Sequence, residues 1–235
     1  MKEITCSILQ PHFLPWVGYF NLMLRSDIFI FLDDVEFTIG EWKNRNKIRK
    51  TYNSQDTKWL TVPVRSKNHF SLLNECEIAD ESNWRERNIN SIFESYKKTP
   101  YFDKYFEDIK NIILDKNITI LSKININLIH LMCKHLKIET KTFLSSELNT
   151  KGDKHHKPMN ICKKINANKY LTTNKSSDYI KIEEYKSNNI LIEFQNFVHP
   201  SYNQYFNGKK LESIKYLSII DLLFNQGPES LNYIN

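Results

Sequence analysis

Two apolar runs separated by one helix-sized segment constrain this chain more than any other feature. Ile4 to Leu9 is a short, largely apolar stretch that stops at Gln10-Pro11. Pro11 has no N–H to give to a sheet ladder, so a strand is predicted to end there. A helix is then predicted from near Pro15, a residue suited to a first helical turn, with Val17, Tyr19, Phe20, Leu22, Met23 and Leu24 as its apolar surface. Ile28 to Leu32 follows as five consecutive apolar residues between Asp27 and Asp33-Asp34. Continuous apolarity is what a strand buried on both faces requires, and strand, helix, strand in that order implies a right-handed parallel crossover. The expected fold class is therefore α/β, a Rossmann-like, mostly parallel sheet with flanking helices. Ligands of such sheets bind beyond the carboxyl ends of the strands, which places Gln10 to Tyr19 and Asp33-Asp34 on one rim.

The rest of the chain continues the alternation around a helical interlude. Trp42 to Arg49 is polar and basic without clear periodicity, and Lys58 to Val64 reads as a strand. Three helices are predicted next, Trp84 to Lys98, Tyr101 to Leu114, and one whose Ile120, Ile124, Leu128, Leu131 and Leu136 fall on a helical stripe. Strands are then expected at Thr140 to Leu144, Lys169 to Thr173 and Ile190 to Phe194, with helices at His156 to Asn166 and Ser218 to Phe224. The 235 residues read as one domain with a helical lobe at about 83–137.

Charge and cysteine usage narrow the function classes. The net charge of +6 attracts anions weakly, but acids are interspersed with the bases, so no nucleic-acid stripe is visible and DNA is not an expected partner. Cys6, Cys76, Cys133 and Cys162 have no paired spacing, which suggests free thiols rather than a zinc ribbon or disulfide framework. The N-terminal apolar run is too short for a signal peptide, and no stretch approaches the roughly 20 apolar residues of a membrane span, so a cytoplasmic protein is expected. Dinucleotide, Walker, zincin and G-x-S-x-G signatures are missing from the sequence.

Several residues are placed to do chemistry. His12 and Gln10 lie in a tight loop before a helix N-terminus, whose amides bind phosphate or carboxylate, and Gly18 permits a close approach. In general form this loop is similar to the nucleotide-binding loop of HIGH-type nucleotidyltransferases and class I aminoacyl-tRNA synthetases, with Tyr19 where those carry a second His. Pro11, Pro15, Trp16 and Gly18 equally make a rigid packed turn. Asp33 and Asp34 point to opposite sides of an extended chain, each able to bind Mg²⁺, orient an amine, pair with Arg45 or Lys47, or cap a turn. Trp42, Asn44, Arg45, Asn46 and Lys47 interleave a stacking ring, amides and cations, as an anion-binding loop or a solvated basic segment would. His199, Tyr202 and Gln204 form a second polar cluster, Asp221 and Asn225 share a helix face, and His155-His156 reads as solvated loop.

The blocks Gln10 to Phe20, Phe31 to Phe37, Trp42 to Ile48 and Leu60 to Val64, with His199 to Gln204 and Leu217 to Gly227 at the other end, resemble the successive motifs of the WbqC-like family. His12 stands where Tyr is as frequent, Glu36 where Gln is common, and Leu171 to Asn174 lacks an expected Gly, which argues against a phosphate-cradling turn there. The resemblance implies work in O-antigen and related surface-glycan clusters, and transfer of glycine or a related acyl group onto the amine of a nucleotide-linked amino sugar. On that reading His12 or Asp33 is the base, and Gln10 and the helix amides hold the acyl or phosphate group. Arg45 and Lys47 hold the diphosphate, and His199, Tyr202 and Gln204 line the acceptor pocket. Trp16, Tyr19, Asp34, Trp42, Asn44 and Asn46 complete the site. The donor stays open between an acyl carrier protein thioester, aminoacyl-tRNA, and activation with ATP and Mg²⁺; no bound metal is assigned. An ATP-dependent ligase or nucleotidyltransferase-like enzyme and a non-catalytic binding protein of the glycan pathway are the alternatives.

Overall fold

The computed structural model describes residues 3–51, 54–65 and 71–235. Its centre is a parallel five-stranded sheet of β1 (Thr5–Leu9), β2 (Ile28–Phe31), β5 (Lys141–Leu144), β6 (Lys169–Thr172) and β7 (Leu191–Phe194), ordered β5-β2-β1-β6-β7. Pairs such as Cys6↔Ile28 and Thr172↔Phe194 fix the register. Counting only these strands along the chain, the order is 3-2-1-4-5, the doubly wound arrangement expected from the first βαβ unit. Its direction reverses between β1 and β6.

Period-two alternation divides the apolar runs between two cores. Phe29, Phe31 and Leu171 join a large cluster on one face with α1 (Val17–Leu24), α2 (Trp84–Tyr96), α3 (Phe102–Leu114), α4 (Leu121–Leu136) and α8 (Ile219–Gln226). Cys6, Ile8 and Ile30 point the other way and pack with α6 (His156–Lys164) and α7 (Ile182–Ser187). Both sheet faces are covered, as the uninterrupted Ile28 to Phe31 run requires. Among the described residues no helix is long and apolar enough to cross a membrane.

Two segments depart from the sequence expectation. The strand expected at Lys58 to Val64 is present as β4 (Thr57–Thr61), but it pairs outside the parallel sheet, in an antiparallel ribbon with β3 (Arg45–Arg49). The basic segment read as lacking periodicity is thus a strand, with Asn46 and Ile48 inward and Arg45 and Lys47 on the other face. A second hairpin, β8 (Gln204–Phe206) and β9 (Lys209–Leu211), was not expected, although Asn207-Gly208 marks it. Both residues of that turn have positive φ, 50° and 74°, as a two-residue hairpin loop demands. The short α5 (Ser145–Leu148) follows β5 directly.

Candidate functional site

The carboxyl ends of β1 and β6 open onto two adjoining cavities. The smaller, about 460 Å³, has ring-rich walls from His12, Trp16, Tyr19, Trp42 and Tyr216. The larger, about 920 Å³, is polar and lined by Gln10, Asp34, Glu36, Lys43, Lys154 and Lys157 among others. Leu9, Trp42, Thr173 and Lys175 border both. Leu9 ends β1 and Thr173 follows β6, so the cleft lies at the point where the strand order reverses.

The loop from Gln10 to Trp16 forms the cleft floor and is held from several sides. Asn125 Nδ2, on α4, donates to the carbonyls of Pro11 (2.9 Å) and Lys43 (2.7 Å). Asn46 Nδ2 donates to Leu14 O (2.6 Å), which also accepts from Ser218 Oγ (2.8 Å). Ile219 N–H reaches Pro15 O at 2.8 Å. These bonds hold buried Leu14 at φ 43°, a left-handed backbone that a branched side chain adopts only when its surroundings over-determine it. Gly18 has a local reason: a Cβ there would lie 2.2 Å from the Trp16 ring. The close approach expected at this glycine is made by the chain's own indole, which is thereby laid along the cavity wall.

His12 is half-buried and has no hydrogen-bond partner among the described residues, while its ring faces Tyr19 at 5.5 Å. Burial, then the charge of Lys43, with Lys175 adding to it against Glu41, lowers its pKa to about 4. At neutral pH it is therefore an uncharged imidazole whose lone pair can accept a hydrogen bond from a ligand.

A profile of the WbqC-like protein family matches residues 10–233. The chain belongs to this family. The uncharacterized protein Rv1507c of Mycobacterium tuberculosis is 28% identical over 235 residues, covering 100% of this chain and 98% of that protein. No solved structure matches significantly.

In this WbqC-like protein, the residues singled out from the sequence divide into cleft walls and scaffold. Gln10, His12, Trp16, Tyr19, Asp34 and Trp42 line the cavities. Asp34 pairs with Lys157 at 2.7 Å, and Tyr19 Oη donates to Gln10 O at 3.1 Å. Asp33 lines neither cavity: its carboxylate is taken by Ser146 N–H (3.0 Å), Ser146 Oγ (2.8 Å) and Ser145 Oγ (3.1 Å) at the start of α5. That is the capping role, and of the two bases considered from the sequence it leaves His12 in the cleft. Asn44 and Asn46 are likewise buried scaffold, donating to Val62 O and to the loop carbonyls.

The expected acceptor pocket around His199, Tyr202 and Gln204 is instead packed interior. Tyr202 Oη and Gln204 Nε2 each donate to Asp221 Oδ1 at 2.8 Å, Tyr96 Oη donates to Asp221 Oδ2 at 2.9 Å, and Arg49 closes the network onto Gln204. Burial pushes the Asp221 carboxyl up to about 6, against the opposing pull of Tyr202, Tyr96, Arg49 and Gln204. His199 donates Nδ1–H to Pro200 O (2.8 Å) and stacks behind Trp16 at 6.2 Å. Its pKa is lowered chiefly by burial, and its Nε2 is buried without a partner. Arg45 and Lys47 also line neither cavity, because strand alternation turns them onto the outer ribbon face.

Sequence reasoning missed Lys175, Gln195, Tyr216 and Asn125. Lys175 had a signal, a cation immediately after a strand at Thr173-Asn174, and Asn125 had one as an amide within an apolar helix. Gln195 donates to Gly18 O (2.8 Å) and Asn21 Oδ1 (2.9 Å), closing the cavity floor. His155 corrects the solvated-loop expectation, since it is buried between α6 and α7. With His156 and Glu184 it could offer metal-ligand atoms within 4.8 Å of one another. Lys181 N–H donates to His155 Nδ1 (3.2 Å), however, which leaves Nε2 carrying the ring proton toward Glu184 (2.7 Å). The lone pair a metal needs is already committed, and the trio staples the two helices.

Proposed function

We propose that this protein transfers glycine or a related acyl group onto the amine of a nucleotide-linked amino sugar, in the glycan pathways with which its family resemblance associates it. The observation that carries the reading is the paired cleft at the sheet's switch point: a polar, lysine-lined compartment beside a smaller ring-lined one that contains an uncharged histidine. The larger compartment suits a nucleoside diphosphate, with Lys175 on the border where the phosphates would lie. The smaller suits a deoxyamino sugar, whose apolar face packs on rings and whose amine donates to His12.

In the transfer, the free amine's lone pair attacks the acyl carbon, the donor's sulfur or oxygen leaves with the bonding electrons, and the ammonium proton passes to a base. A base of pKa about 4 is mismatched to an amine by several units. A phosphate seated against Lys175 offsets one of the charges that depress His12, a partial gain in basicity because burial is the larger cause and Lys43 is already paired with Glu41. The test is incubation with UDP- or dTDP-linked amino sugars and glycine donors of each class, with mass spectrometry of the sugar nucleotide. A gain of one glycyl group that His12→Gln slows supports the reading. Binding without any modification would overturn catalysis in favour of the second reading.

That second reading is a non-catalytic sugar-nucleotide-binding protein. It is favoured by the placement of Asp33, Asn44, Asn46, Tyr202 and Gln204, all of which cap, pin or pair within the fold.

A further inference from the structure

Gln195, just past β7, is fixed more tightly than a wall residue needs to be. Its backbone N–H donates to Thr172 O at 2.7 Å, which carries the parallel ladder one residue beyond the Thr172↔Phe194 pair. On an extended chain alternate side chains share a side, and Gln195, Phe197 and His199 turn inward while Asn196 and Val198 are exposed. The rings of Phe197 and His199 lie 5.8 Å and 6.2 Å from that of Trp16, and Gln195 lines the same smaller cavity as Trp16 and Phe197. The orientation of its amide follows from its partners. Ile234 O can only accept, so Asn21 presents Nδ2 to it (2.7 Å) and Oδ1 to Gln195. Asn21 Oδ1 and Gly18 O then take the two N–H bonds of Gln195 Nε2, at 2.9 Å and 2.8 Å. Gln195 Oε1 is left as an acceptor of fixed direction, without a partner among the described residues and not sealed from solvent. Since the residue is only 7% exposed and lines the smaller cavity, this oxygen opens onto it.

We propose that Gln195 determines specificity in the smaller cavity, its Oε1 accepting a hydrogen bond from an N–H or O–H of the bound sugar. The two N–H bonds hold the amide in place, and the carbonyl is the part of it that a ligand meets. Leu9, Leu22 and Phe197 make much of the remaining lining apolar, so a ligand entering the cavity displaces the water that Oε1 otherwise meets. A ligand without a donor leaves that oxygen unpaired, and a site built in this way rejects such a ligand more strongly than an apolar wall could. Together with the uncharged ring of His12 the cavity offers two acceptors, which suits a sugar carrying an amine and hydroxyls on an otherwise apolar body. That the ligand is an amino sugar rests on the transferase reading; that it must bring a donor to Gln195 does not.

The test is calorimetric titration of a dTDP-linked deoxyamino sugar, and of counterparts in which the amine or each ring hydroxyl in turn is replaced by hydrogen, into wild type, Gln195→Met, Gln195→Glu and Asn21→Ala. In wild type one counterpart should bind about tenfold or more weaker than the parent. Gln195→Met should weaken the parent by a similar factor and bind parent and that counterpart equally, which names the donor that Oε1 reads. Gln195→Glu keeps an acceptor and should retain the discrimination. Asn21→Ala removes one bond that holds the amide but leaves Oε1, and should retain it too, a result that a purely structural role for Gln195 does not give. Equal binding of every counterpart to wild type, or a deficit that persists in Gln195→Met, would overturn the assignment. So would a crystal structure of the wild-type complex with no ligand donor within hydrogen-bonding distance of Oε1, whatever the folding of the variants. Discrimination through Gln195 without acyl transfer would leave the assignment standing and remove the transferase reading. Transfer with equal binding of all counterparts would remove Gln195's role alone, and no binding by any of them would remove both.

Discussion

An uncharged His12 at neutral pH makes a thermodynamic prediction that needs no substrate. Its folded pKa of about 4 lies below the ordinary 6.5, so its contribution to stability is intact above pH 6.5 and is lost as the pH falls through that window toward 4. At roughly 1.4 kcal/mol per pH unit the full effect is about 3 kcal/mol, of which about 2 kcal/mol is already lost at pH 5. His12→Gln removes this titration and keeps a polar group in the cavity. In urea unfolding at pH 7.5 and pH 5, wild type should lose about 2 kcal/mol relative to the variant, the other titrating groups cancelling in the difference. Imidazole NMR should place the His12 midpoint near 4 in the free protein, and move it modestly upward when a nucleoside diphosphate binds beside Lys175. A stability difference that does not change with pH, or a His12 midpoint near 6.5, would refute the argument that burial and lysine charge keep this ring neutral.

Asp221 predicts the opposite sign: its folded pKa is raised to about 6 from 3.8, so its contribution is present below 3.8 and lost as the pH rises through 6. Wild type should therefore gain about 1–2 kcal/mol on Asp221→Asn between pH 8 and pH 5, measured by the same unfolding experiment. Asn46→Ala leaves Phe13 O without its donor and Leu14 O with Ser218 alone, and should cost about 2 kcal/mol with a matching loss of ligand affinity read by calorimetry. Gly18→Ala sets a methyl against the Trp16 ring and should displace it from the cavity wall, so that sugar-nucleotide affinity falls about tenfold while the circular dichroism spectrum is retained. Lys175→Met should weaken binding of the sugar nucleotide and flatten its salt dependence, with smaller effect on the unphosphorylated sugar.

The sheet was legible because its strands carry their burial in the sequence. Ile28 to Phe31 is apolar on both faces and proved to be covered on both, and Ile124, Leu128 and Leu136 of the predicted stripe are buried along α4, with Leu131 half-buried. In the ribbon β4 was legible and β3 was not, because the inward residue of β3 at 46 is an amide rather than an aliphatic side chain. Asn46 is satisfied by loop carbonyls far away in sequence, and no local period reports such a contact. The same difficulty governed the site. A buried polar residue that pins a loop and an exposed one that meets a ligand are alike in sequence, so Asp33, Tyr202 and Gln204 resembled site residues while serving the scaffold. Conversely, Tyr216 and Gln195 reach the cleft from a distant part of the chain, with nothing in their neighbours to announce it.

The account's central claim is that the ligand occupies the cleft between the carboxyl ends of β1 and β6, and a crystal structure of the protein bound to a UDP- or dTDP-linked amino sugar tests it most directly. The predicted result is sugar density against Trp16 and Tyr216 with its amine within hydrogen-bonding distance of His12, and phosphate density beside Lys175. Density for the bound ligand at any other surface, with the cleft unoccupied, would contradict it.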